Sequence, residues 1–155
     1  MNVPPLPFIT SNPVKAKGCF GDVIVLSKRW GMAKILIVDD LKWVRDYYSL
    51  ELRHDGHVVS SASDIGTALM AFQTDKPELV VMDLMLGEEV GWDLLREIKQ
   101  ISPATPVLIM SAFERYRQDP RLDPADGYLL KNIEMLDDLK QRIGEHVPPR
   151  TDLNR

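Results

Sequence analysis

Residues 34–40 read KILIVDD, a lysine and four consecutive apolar residues running into two aspartates. The run lacks the alternation of a strand with one wet face and is too short for a buried helix. It reads as a strand, Lys34–Val38, covered on both faces, as strands of parallel sheets usually are. Working outward, Asp40 can cap a helix over residues 42–54, where Val44, Tyr47, Tyr48 and Leu52 recur at helical spacing before the stop signal Asp55-Gly56. HVVSS (57–61) is a second strand. Asp64 can cap a second helix, 65–74, with Leu69, Met70 and Phe72 for the core, and Asp75-Lys76-Pro77 ends it. Leu79–Met82 is a third strand that runs into Asp83.

Beyond Asp83 a loop with Gly87 and Gly91 leads to a third helix, 92–101, burying Leu94, Leu95 and Ile98. Val107–Met110 and Tyr128–Leu130 are the fourth and fifth strands, and 133–143 the last helix. The fourth crossover, between Phe113 and Asp126, holds Pro120 and Pro124, so a helix survives over about residues 112–118 and the rest is loop. Strands joined by helical crossovers are parallel, and the crossovers are right-handed. The expected architecture is therefore α/β: a doubly wound five-stranded parallel sheet with helices on both faces and a shortened, irregular fourth helix.

The 155 residues suit one domain of ordinary size, and an apolar fraction of 45% suits a globular core. Residues 1–31 read differently, with Pro4, Pro5, Pro7 and Pro13 and no sustained period. We read them as a leader, extension or disordered arm, although Val23–Leu26 could add a strand. Residues 32–146 form the domain proper and 147–155 a tail. The leader's Lys15, Lys17, Lys28 and Arg29 against Asp22 give it +3, and the overall charge of −4 leaves −7 for the rest. An acidic body offers no footprint for nucleic acid. One cysteine, Cys19, excludes an internal disulfide, and no apolar run approaches a membrane span. A cytoplasmic protein without membrane contact is expected. His54, His57 and His146 lack ligand spacing and read as surface residues; Trp43 and Trp92 read as core packing.

Ligands of open parallel sheets bind outside the carboxyl ends of the strands. Those ends supply Asp39 and Asp40, then Asp83, Ser111 and Lys131. Clustered carboxylates repel one another, and a hard divalent cation such as Mg²⁺ relieves the repulsion. A phosphoryl group on Asp83 would be neutralised by Lys131 and the metal and would accept a hydrogen bond from Ser111, which is most of what phosphoryl transfer requires. Asp40 alone reads equally as a helix cap, and Lys131 alone as a solvated charge; their joint placement at successive strand ends is what points to chemistry.

The runs KILIVDD (34–40), VVMDLMLGEEVGWDLL (80–95), VLIMSA (107–112) and GYLLK (127–131), in this order, resemble the receiver domain of bacterial two-component response regulators over about residues 33–146. The resemblance implies a flavodoxin-like (βα)5 fold and a phosphorelay switch. Asp83 would be the phosphoacceptor and Asp40 a direct Mg²⁺ ligand. Asp39 would act through a metal-bound water, and the backbone carbonyl of Met85 would be a further ligand. Ser111 would be the switch hydroxyl, Lys131 the phosphoryl-pairing lysine and Tyr128 the aromatic residue whose rotamer follows Ser111. Met85 and Phe113 would border the phosphoryl group, where apolar side chains would hinder water. A sensor histidine kinase or phosphotransfer protein would supply the phosphoryl group, and a protein target, or a homodimer, would receive the signal.

The chain departs from the pattern at Asn132, where proline normally follows the lysine in a cis bond, at Gly87, where proline is usual, and in the fourth crossover. A trans bond after Lys131 would be free to shift that lysine, and the loop at Gly87 should be more flexible. These departures leave a phosphorylation-independent scaffold as the competing reading. An Asp83-based phosphatase is a weaker third, for the sequence shows no acid/base carboxylate two residues after Asp83 and no cap domain.

Overall fold

The structure, a computed structural model, describes residues 31–147 and the backbone of two short antiparallel strands, Ala16–Gly18 and Gly21–Val23. The expectations for Cys19, for the leader apart from those strands, and for the tail beyond Val147 lie outside the described residues.

Five strands form one parallel sheet: β1 (Lys34–Val38), β2 (Val58–Ala62), β3 (Leu79–Asp83), β4 (Val107–Ser111) and β5 (Gly127–Leu130), in the spatial order β2-β1-β3-β4-β5. Helices α1 (Lys42–His54), α2 (Ile65–Asp75), α3 (Trp92–Ile101) and α4 (Met135–His146) cover its two faces. The period-2 alternation of each strand splits the interior in two. Leu36, Val38, Val80, Met82 and Ile109 meet Ala68 and Phe72 of α2 and Leu94, Leu95 and Ile98 of α3. Ile35, Ile37, Val81, Leu108 and Met110 meet Leu52 of α1 and Met135, Leu139 and Ile143 of α4. A fully buried side chain of this size contributes about 1.5–3 kcal/mol, so the two layers fix the strand ends firmly in space.

Local signals act largely as expected. Asp64 Oδ1 accepts the Thr67 N–H at 2.8 Å while Thr67 Oγ1 accepts the Asp64 N–H, a reciprocal cap. Gly91, at the start of α3, sits where a Cβ would collide with the Met82 side chain. Several expectations are corrected. Asp40 caps nothing: the N-cap of α1 is Leu41, without a side-chain bond. Met70, Tyr47 and Trp43 face solvent, Trp43 at 70% exposure, because the apolar stripes of α1 and α2 are narrower than their apolar content. His57 is buried rather than superficial: its Nδ1 accepts the Ala33 N–H at 3.2 Å, joining the approaches to β1 and β2. β2 runs one residue later than expected, and α4 begins at Met135, leaving Ile133 wholly exposed.

The fourth crossover goes further than a shortened helix. Among the described residues it holds two 3₁₀ turns, Glu114–Tyr116 and Pro120–Leu122, and no α-helix. Pro120 starts the second turn, where its missing N–H costs nothing, and Leu122 is the crossover's buried anchor.

Candidate functional site

At the carboxyl end of the sheet, strands β1, β3, β4 and β5 deliver Asp39, Asp83, Ser111 and Lys131 to one cleft. Lys131 follows β5 directly and its N–H donates to the Ser111 carbonyl at 2.8 Å, which fixes where its side chain starts. Its Nζ then donates to Asp83 Oδ2 at 2.6 Å and Asp39 Oδ2 at 2.7 Å. Among the described residues there is no cis peptide, so the Lys131–Asn132 bond is trans, and the lysine reaches both carboxylates nonetheless.

The third carboxylate, Asp40, is exposed. Asp39, Asp40 and Asp83 each bring a carboxylate oxygen within 4.8 Å of the others. Asp39 is fully buried; its Oδ1 accepts the Leu41 N–H at 2.9 Å and its backbone carbonyl accepts Arg45 Nη1 at 2.6 Å. Burial raises the Asp83 carboxyl above its ordinary range, against the pull of Lys131 and of the Met85 N–H. Burial would lower Lys131, but bonds to Asp39 and Asp83 outweigh it and hold the ammonium above its usual value. The two carboxylates and the lysine therefore form a charged set in which each sign requires the other.

The loop after Asp83 is a small hairpin, Met85–Leu86 against Glu89–Val90, with Gly87-Glu88 at its tip. Gly87 has φ +66° and its N–H donates to Asp40 Oδ2 at 3.2 Å. Proline could supply neither the left-handed backbone nor the donor; glycine supplies both, in a turn of the type that places Gly first. The Met85 N–H donates to Asp83 Oδ1 at 3.0 Å.

Ser111 is fully buried and its Oγ accepts the Phe113 N–H at 3.1 Å. Tyr128, one strand over, donates its hydroxyl to the Phe113 carbonyl at 2.5 Å. Burial raises the Tyr128 phenol, with the Ser111 hydroxyl acting in the opposite direction. Ser111, Phe113 and Tyr128 thus form one connected corner. Asp39, Asp40, Asp83, Ser111 and Lys131 thus lie at the same end of the sheet, with Met85, Phe113 and Tyr128 beside them. Arg45 and the Gly87 amide were not foreseen: neither has a periodic or motif signal, since each acts through backbone geometry.

The donor set suits Mg²⁺: three carboxylates offer hard oxygen ligands, and the exposed side at Asp40 leaves room for the waters that ion retains.

A family model described as the response regulator receiver domain matches residues 35–144. Among curated proteins, the chain is 33% identical over 78 residues to the probable transcriptional regulatory protein TcrX of Mycobacterium tuberculosis, covering 50% of this chain and 33% of that protein. It is 35% identical over 102 residues to the KDP operon transcriptional regulatory protein KdpE of Escherichia coli, covering 64% and 45%. The chain thus spans a third to less than half of the length of these relatives. Among solved structures, response regulator TrrA of Thermotoga maritima, in complex with Mg²⁺-BeF, superposes with TM-score 0.70 at 27% identity, over 75% of this chain and all of that one. Chemotaxis response regulator CheY4 of Vibrio cholerae gives TM-score 0.65 at 27% identity, over 72% and 98%. No helix among the described residues is long and apolar enough to cross a membrane.

Proposed function

Because this chain belongs to the response regulator receiver domain family of two-component signalling, we propose that it is a phosphorylation switch whose acceptor is Asp83. The observation that carries the reading is the Lys131 ammonium held between the Asp83 and Asp39 carboxylates, with Asp40 completing the acidic cluster. In phosphorylation a carboxylate oxygen of Asp83 attacks phosphorus and the donor's group leaves with the bond electrons. Lys131 already stands at ion-pair distance and takes up the incoming charge. Ser111 exchanges its bond with the Phe113 N–H for one to the phosphoryl oxygen, and Tyr128, tied to Phe113, follows. Asp40, Asp83 and the Met85 carbonyl would hold Mg²⁺ directly, and Asp39 through water; the ion supplies charge neutralisation at the phosphoryl oxygens.

The cycle serves signalling, with no metabolic substrate. A sensor kinase or phosphotransfer protein would dock where Trp43, Tyr47, Ile133, Leu136 and Lys131 line a cleft of about 400 Å³. Output would pass by protein contact through the crossover, β5 and α4, in the cytoplasm. Residues 1–31 are read as a leader, an extension or an arm ahead of the domain, and 147–155 as a tail.

Intact mass after incubation with acetyl phosphate tests this. A Mg²⁺-dependent gain of one phosphoryl group, absent in Asp83→Asn, is expected. A folded chain that binds Mg²⁺ and gains nothing would instead favour the phosphorylation-independent scaffold, the reading that the missing fourth helix supports.

A further inference from the structure

The end of the sheet opposite the acceptor cleft, its foot, is left partly open on the α2 side. Lys34 of β1 pairs with Val58 of β2 there, and the contact continues below the strands. The Val58 N–H donates to the Ala33 carbonyl at 2.9 Å, and Met32 lies so close to Gly56 that a Cβ there would stand 3.7 Å from Met32 Cγ. Val58 is 57% exposed, alone among the apolar residues of β1 and β2, and Met32 is 58% exposed. Strand alternation puts Val58 on the same face as Ala62, in the layer shared with Ala68 and Phe72 of α2. α2 does not extend far enough to cover it. Instead Lys34, Val58 and Ser60 from the strands and Thr74, Asp75 and Pro77 from the end of α2 line a groove of about 380 Å³.

The leader enters the domain at this groove. Gly31 is buried, Met32 follows it against Gly56, and Lys34 is itself a lining residue. Trp30 stands four residues before Lys34, at most about 14 Å of chain, and Gly31 allows the chain to reverse between them. The groove suits an indole: Val58 and Pro77 offer apolar surface for the ring, and Ser60, Thr74 and Asp75 offer oxygens for its N–H. Lys28 and Arg29 precede Trp30, and α2 ends on Asp75 with no basic residue in its last turn, so the leader's positive charge meets the negative end of a helix. A tether this short gives Trp30 an effective concentration on the order of millimolar at the groove, which a second copy or a separate partner would have to outcompete.

We infer that the groove at the foot of β1, β2 and α2 is the docking site of the chain's own leader, which folds back at Gly31 and fills it with the Trp30 ring. The ring covers Val58 and straps the leader across the end of the sheet away from Asp83. The leader is then a part of the domain's surface with a fixed attachment, and the acceptor cleft stays clear of it. The inference rests on the fold and on where the chain enters it, independently of the acceptor reading.

The test uses the full chain carrying Trp43→Phe and Trp92→Phe, which leaves Trp30 as its one tryptophan. Burying a ring of this size favours the docked chain by roughly tenfold, so acrylamide should quench Trp30 about tenfold less than in the same chain unfolded in urea. Its emission should also lie at shorter wavelength. Val58→Asp, which sets a charge against the ring, and Thr74→Arg, on the α2 side, should each return quenching close to the unfolded value while the far-ultraviolet circular dichroism stays that of the parent. Both positions are exposed, so a folding failure in one leaves the other to decide. Quenching in the folded parent as strong as in urea overturns the inference and leaves the groove to a separate partner. Shielding that neither substitution disturbs puts Trp30 elsewhere and overturns it as well. Shielding that fades on dilution, with a dimer mass by light scattering, gives the groove to Trp30 of a second copy and overturns the strap. Phosphoryl uptake on Asp83, read by intact mass, is unaffected by any of these outcomes.

Discussion

The acceptor cleft and the fourth crossover adjoin one another and are built by opposite means. In the cleft, Asp39, Asp83, Ser111 and Lys131 stand at the ends of four strands whose positions are set by two buried apolar layers. Their geometry is inherited from the sheet. In residues 113–126, only Leu122 is buried, and the segment keeps its shape through individual contacts between side chains and short 3₁₀ bonds. The first arrangement tolerates little change and gives precise placement; the second gives a surface that can be rewritten residue by residue.

Substitutions at four positions test that contrast, from the largest effect to the smallest. Lys131→Met leaves Asp39 and Asp83 facing each other without a cation. Removing one partner of such a buried set typically costs about 3 kcal/mol, so urea unfolding should shift by that order. Mg²⁺ should recover more stability in this variant than in the parent, because it can take over the lost charge. A variant as stable as the parent without Mg²⁺ would mean the cleft is less rigidly charged than described.

Gly87→Ala meets no neighbouring atom within 4 Å, so its penalty is purely that of a left-handed backbone, about 1–2 kcal/mol in the same assay. Gly87→Pro should cost more, since it also removes the donor to Asp40. Equal effects of the two would show that the Asp40 bond contributes nothing.

His57 provides a control at the opposite end of the sheet. Burial lowers its pKa below the ordinary histidine value, with Asp55 opposing and Lys140 adding to the shift. The unfolded chain therefore takes the proton first. The stability His57 lends is complete above the usual histidine range and is lost as the pH falls through it toward the lower folded value. Thermal melts of His57→Asn, which keeps an acceptor for Ala33, should fall less steeply than the parent's between about pH 7 and pH 5.5. Parallel curves would remove the histidine as the cause. Last, Arg121→Gln, in the crossover where the guanidinium lies over Trp92 at 4.2 Å, should change the urea midpoint least of all; a loss matching that of Lys131→Met would overturn the contrast between the two regions.

What could be read from the sequence follows the same division. The strands at Lys34 and Val107, the helices over 42–54 and 92–101, and the convergence of five polar side chains follow from periodicity and from strand ends, which leave a trace in residue order. The hairpin after Asp83 left only its glycine as a clue. The outward turn of Trp43 and the burial of His57 depend on which part of an apolar stripe a neighbouring element happens to cover. The contact of Arg121 with Trp92 leaves no periodic trace, because the pair meets only after the chain has folded.

A crossover anchored on Leu122 has a practical use. Exposed positions such as Gln118 could carry a fluorophore or a short inserted peptide without disturbing either buried layer. Because the same segment joins Ser111 through the Phe113 N–H, such a label would stand beside the hydroxyl at the end of β4 and report on its surroundings.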